Sequence, residues 1–203
     1  STEPALKTLG MLISSEPGRL LPPIRSRCRT LDLAPLAAED LRRAVVQAVS
    51  ASEIEAPGPQ DWAKLVEISG GSVRRALTLS GAGGLKLYER VRGIVTKLPD
   101  VDWAAAHTLS DELAGTANTQ QFLQFYNLLL DLVWRVVRAS VTPGATGDDA
   151  ALAKRLVTGA RQPAFAEAWQ AIVDDRAEAL SLNLDRKALI LATLTRLEAA
   201  ARS

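Results

Sequence analysis

Between Gln121 and Val141 the polar residues Gln124, Asn127, Asp131, Arg135 and Arg138 recur at spacings of 3, 4, 4 and 3 in an otherwise apolar run. That is the period of an α-helix, and it confines the polar groups to one narrow line. A helix that is apolar over the rest of its circumference must be covered on most sides, so the spacing predicts the central rod of a helical bundle, with Leu129 inside it. Gln124, Asn127, Asp131 and Arg135 also exclude a transmembrane reading, because they interrupt the most apolar stretch of the chain, Phe122–Val137.

The helical period extends in both directions from this rod. Leu41, Val45, Ala48 and Val49 form an apolar stripe opposite Glu39, Arg42, Arg43 and Gln47. The Ala56-Pro57-Gly58-Pro59 cluster breaks the chain, and Trp62, Leu65, Val66 and Ile68 mark a second short helix. Gly70-Gly71 is suited to ending it in a left-handed turn, and Ser72 to capping a third helix from Val73. Gly81–Gly84 interrupts again before a fourth helix over Leu85–Lys97, and Leu98-Pro99-Asp100 marks a boundary. After the central rod comes a Pro/Gly-rich loop, Thr142–Asp149. A long helix carrying Phe165, Trp169, Ile172 and Ala179 follows, and a last one from about Leu184 buries Ile190, Leu194, Leu197 and Ala201. No repeat of solenoid length is visible.

The opening of the chain has a different texture. Leu12-Ile13-Ser14-Ser15 is a short apolar run followed by a turn at Glu16-Pro17-Gly18, and Pro22-Pro23 limits any helix there to a tight turn. Cys28–Leu33 alternates in the manner of a short strand, with Cys28 expected as a small buried residue upon it. No secretory leader is expected from Ser1–Gly10.

Composition closes off several chemistries. With 24 Lys+Arg against 23 Asp+Glu the net charge is +1, so no bulk electrostatic grip on nucleic acid is indicated. Cys28 is the only cysteine and His107 the only histidine, which leaves no disulfide framework, no Cys-rich zinc module and little material for histidine catalysis. His107 reads as a packed or surface residue. The phosphate-loop pattern GxxxxGK[ST] is absent, and Gly81-Ala82-Gly83-Gly84 follows a helix, as a helix–helix connection would. Arginine is the informative residue. Arg19, Arg25, Arg27 and Arg29 lie within eleven residues that contain no acid, and Lys7 is the only lysine before Lys64. A preference for the planar guanidinium fork over an ammonium points to recognition of phosphate oxygens.

Three segments carry a resemblance. The run Leu12–Cys28 resembles the stretch of bacterial clamp-loader subunits from the sensor 1 strand to the Ser-Arg-Cys motif, here Ser26-Arg27-Cys28. Gly70-Gly71-Ser72-Val73-Arg74-Arg75-Ala76-Leu77 is similar to the sensor 2 helix of the small lid domain of the same AAA+ family. Ala179–Lys187 looks like the start of the closing helix in the delta-prime type of DNA polymerase III subunit. The order of the three matches that family, while nearly all of its N-terminal AAA+ core has no counterpart here, as in a C-terminal fragment. The Ala5–Leu9 stretch resembles the end of a core helix, with residues closed up around Leu9-Gly10.

The resemblance implies a mainly α fold with three divisions: a remnant of an AAA+ α/β core (1–33), a helical lid (34–98) and a helical collar used for oligomerisation (99–203). It implies a cytoplasmic, non-motor subunit of the clamp loader. In that family the Ser-Arg-Cys arginine, here Arg27, acts as an arginine finger in trans on ATP held with magnesium by a neighbouring subunit. Ser26 and Cys28 would shape its turn, Ser14 or Ser15 would take the sensor 1 place and Arg74 the sensor 2 place. No cofactor or metal is expected in this chain itself. The implied partners are the gamma/tau and delta subunits, and through the assembled ring the sliding clamp and primer-template DNA, with no membrane. Two other readings stand beside it: a gamma/tau-type ATPase subunit, and an all-helical ligand-binding transcription regulator, against which Pro22-Pro23 inside the basic segment argues.

Overall fold

The computed structural model describes residues 12–13, 21–31, 33–51, 56–81 and 83–203. Among them the secondary structure is helical, with no strand, and the chain divides into two compact units, Ser1–Pro35 and Leu36–Ser203.

In the first unit the described residues hold one helical turn, α1 (Pro22–Arg25). Proline at its first position costs nothing, because the first N–H groups of a helix have no internal acceptor. The strand expected over Cys28–Leu33 is not formed. Arg29–Leu31 and Leu33 have no regular structure, and Leu31 and Leu33 are 82% and 86% exposed. An alternating segment becomes a strand only where a neighbouring edge completes its hydrogen bonds and a core takes its apolar face, and the described residues of this unit supply neither. For the same reason Cys28, expected to be buried, is exposed.

Among the described residues the second unit holds nine further α-helices and one short 3-10 turn, Thr116–Asn118. The first four are α2 (Ala38–Ser50), α3 (Trp62–Ser69), α4 (Val73–Ser80) and α5 (Gly84–Lys97). The next five are α6 (Trp103–Ala114), α7 (Thr119–Val141), α8 (Asp148–Leu156), α9 (Arg161–Leu182) and α10 (Arg186–Arg202). Their ends follow from local chemistry. Gly70 closes α3 in the left-handed region at φ 56°, and Ser72 Oγ accepts the Arg75 N–H at the start of α4. Asp102 caps α6 through the Ala105 N–H at 3.1 Å. Asn183 ends α9 at φ 52°, and Asp185 then accepts the Lys187 and Ala188 N–H groups that begin α10. The α8 helix was not foreseen in the sequence. It carries Asp148 and Asp149 in its first turn and Lys154 and Arg155 in its last, the arrangement the helix dipole favours.

The 23-residue α7 helix is the rod around which the rest packs. It touches α5, α6, α8 and α9, while α10 lies against α9 and α6, and α4 holds α2, α3 and α5 together. Phe122, Phe125 and Tyr126 fill its N-terminal half, with edge-to-face centroid distances of 5.1 and 5.2 Å, and Leu129 is fully buried. Leu41, Leu65, Ala76 and Leu79 from α2–α4 belong to the same apolar cluster as Leu129, Ile172 and Leu194. The boundary expected at Leu98-Pro99 therefore falls inside one unit, where Leu98 is itself fully buried.

Candidate functional site

The residues of the Ser-Arg-Cys motif sit just beyond α1. The amide N–H groups of Arg27 and Cys28 both donate to the Ile24 carbonyl, at 3.2 and 3.1 Å. The Ser26 hydroxyl donates to the Pro23 carbonyl at 3.3 Å. These bonds wrap the chain into a turn whose rigidity begins with the two prolines, and from it Ser26, Arg27, Cys28 and Arg29 are all exposed. Ser14, Ser15 and Arg19 lie outside the described residues. What this turn offers chemically is an exposed guanidinium within a segment whose sequence holds no acid, able to place a planar donor fork against an anion brought to it.

Arg74 is exposed on α4. The Gly70-Gly71 pair, at φ 56° and 76°, turns the chain so that Ser72 can begin the helix, and the Gly71 carbonyl accepts the Leu36 N–H at 3.1 Å. The next residue, Arg75, faces the other way. Its side chain is 15% exposed, and its Nε lies 3.2 Å from Asp131 Oδ2 on α7.

That contact opens a charge network that the sequence showed only as a polar stripe. Asp131 Oδ2 is shared between Arg75 and Arg135, each through Nε at 3.2 Å. Arg135 also pairs with Asp149 at the start of α8 and donates to the Tyr88 hydroxyl of α5 at 3.3 Å. Arg92 of α5 reaches Asp148 at 2.8 Å and Asp149 at 3.5 Å. Burial and the nearby Arg135 push the Arg75 guanidinium below its ordinary value. Burial also opposes charge on Arg135, but Tyr88, Asp149 and Asp131 outweigh it and hold that group above its ordinary value. Both remain cations, since arginine does not lose its proton in proteins. Among the described residues, Arg75 Nη2 is buried with no hydrogen-bond partner.

The remaining members of the stripe have equally definite tasks. Gln124 Nε2 donates to the Thr78 and Gly81 carbonyls at 2.6 and 3.1 Å, satisfying the C-terminal end of α4. Asn127 Oδ1 accepts from Arg176 of α9 at 3.1 Å. Arg138 lies 5.1 Å over the Trp134 ring. Apart from Arg138, whose contact stays within α7, the narrow polar line is thus the set of contacts that docks α7 on α4, α5, α8 and α9.

His107 is exposed on α6, and among the described residues no cluster of His, Cys, Asp and Glu is placed to hold a metal ion. No described helix is long and apolar enough to cross a membrane. Arg75, Tyr88, Arg92, Asp148 and Asp149 were missed by sequence reasoning. The signal for Asp148 and Asp149 was present in the acidic start and basic end of α8, but Arg75 differs from Arg74 only in the face it occupies. Comparison with protein-family models, with curated proteins and with solved structures gives no match for this chain.

Proposed function

We propose that the chain belongs to a non-motor, delta-prime-type subunit of a bacterial clamp loader, comprising a piece of its AAA+ core, its lid and its collar. In this reading Arg27 is the arginine finger offered to ATP on a neighbouring gamma/tau-type subunit. The observation that carries the reading is the exposed Ser26-Arg27-Cys28 turn, stiffened by Pro22-Pro23 and standing in an acid-free arginine segment. The glycine turn, Ser72 cap and exposed Arg74 of α4 add support, since a sensor 2 arginine must reach outward from a fixed helix. The exposed Leu12, Ile13, Leu31 and Leu33 fit segments that pack on a core domain beyond this sequence.

The mechanism follows from charge. As the γ-phosphoryl group transfers to water, negative charge spreads over its oxygens, and a guanidinium placed there in a water-poor interface contributes about 10³–10⁵ in rate in related NTPases. Arg27 would supply that cation. Magnesium and nucleotide would be held by the neighbour, and ring assembly with the delta and gamma/tau subunits would bring sliding clamp and primed DNA together in the cytoplasm. Ser14 or Ser15 would take the sensor 1 place and Arg74 the sensor 2 place.

The test is clamp- and DNA-stimulated ATP turnover by the reconstituted ring, with every site but the one adjacent to this subunit disabled. Arg27→Ala should leave assembly intact and lower turnover at that site by about 10³-fold or more. Arg27→Lys should restore little, because one ammonium does not reproduce the planar fork. Arg29→Ala should have a smaller effect than Arg27→Ala. Wild-type turnover in Arg27→Ala would remove the finger role, and failure of the full-length protein to join such a ring would remove the family assignment.

A further inference from the structure

We draw no further inference here: the strongest candidate, the open cavity of about 470 Å³ between α3 and the glycine-rich start of α5, bordered by Asp61, Lys64, Lys86 and Glu89, is a helix N-terminus beside a lysine already paired with Glu89, and nothing in the structure points to a ligand there.

Discussion

Asp131 brings one carboxylate within reach of two guanidiniums, and its side chain is only 37% exposed. Removing its charge leaves Arg75 and Arg135 facing each other in a region where water compensates poorly. Breaking a fully buried pair costs about 3–5 kcal/mol, and the partial exposure here reduces that. Asp131→Asn should therefore destabilise the protein by about 1–3 kcal/mol in urea unfolding. Arg75→Leu should cost less, because it removes the repulsion on Arg135 and the unpartnered Nη2 together with the pair. An Asp131→Asn midpoint equal to wild type would mean that the pairs contribute nothing. Asp102 offers a different, pH-dependent test. The Ala105 N–H that it caps, and then Lys97, hold its carboxyl below the ordinary value of 3.8. A carboxyl depressed in the folded state stabilises above its unfolded pKa, and that contribution is lost as pH falls below about 3.8 through the folded value. Asp102→Asn keeps a capping oxygen but does not titrate, so the difference in stability between wild type and variant should shrink on acidification through that window. A difference independent of pH would show that Asp102 gains nothing from its charge.

Two glycines of α5 show how an element's environment decides the sign of one substitution. A Cβ on Gly84 would stand 2.6 Å from both Gln124 Nε2 and the Leu79 carbonyl and 2.7 Å from the Thr78 carbonyl. Gly84 is there because α4, α5 and α7 meet too closely for a side chain. Gly84→Ala should destabilise by about 1–3 kcal/mol through overpacking. A Cβ on Gly93 meets nothing within 4 Å, so Gly93→Ala should stabilise by about 0.5–1 kcal/mol through helix propensity alone. Thermal melts of the two variants should move in opposite directions, and movement in the same direction would contradict this account of the α4–α5 corner. In the sequence Gly84 reads as part of the interruption before this helix and Gly93 as a position inside it, and neither reading carries the packing around the residue. What was legible was whatever depends on local period and capping: the α7 rod, the Gly70–Ser72 turn, the apolar faces of α2 and α10. The α8 helix was lost to the glycine-rich loop before it, which masked its charged termini. The Cys28–Leu33 strand was over-read because alternation reports a face to be buried, whereas a strand also needs a partner edge. The site divides in the same way. The exposed turn at Arg27 follows from two prolines and an acid-free segment, while the ion-pair network depends on which of Arg74 and Arg75 faces α7, a tertiary fact.

At the scale of the whole molecule, motif order divides the helices at Leu98, yet the physics of 36–203 does not respect that division. The apolar cluster runs from Leu41 of α2 to Ala201 of α10 without a break at Leu98. The carbonyls at the end of α5 are taken by Arg155 from α8, which donates to Leu98 at 2.8 Å and to Thr96 as well. Arg202 at the end of α10 donates to the Pro99 carbonyl at 3.4 Å. With the Asp131 network and the Gln124 clasp, these contacts tie the α2–α5 helices to the α6–α10 bundle through polar groups as well as apolar ones. Separate stabilities for the two parts would require such contacts to be weak, so 36–203 should unfold as one cooperative body. Leu129→Asp tests this from the bundle side. It buries an unpaired carboxylate at a fully buried position, at a cost of several kcal/mol, a large share of the stability of any domain. If the helices form one body, amide protection should fall together in α3 and α9, although Leu129 belongs to neither. The measurement is hydrogen exchange on wild type and variant, read helix by helix, alongside the urea transition followed by circular dichroism. Retained protection in α2–α4 with loss confined to α6–α10 would show that Leu98 is a true stability boundary. Full protection throughout would remove α7 from the centre of the fold.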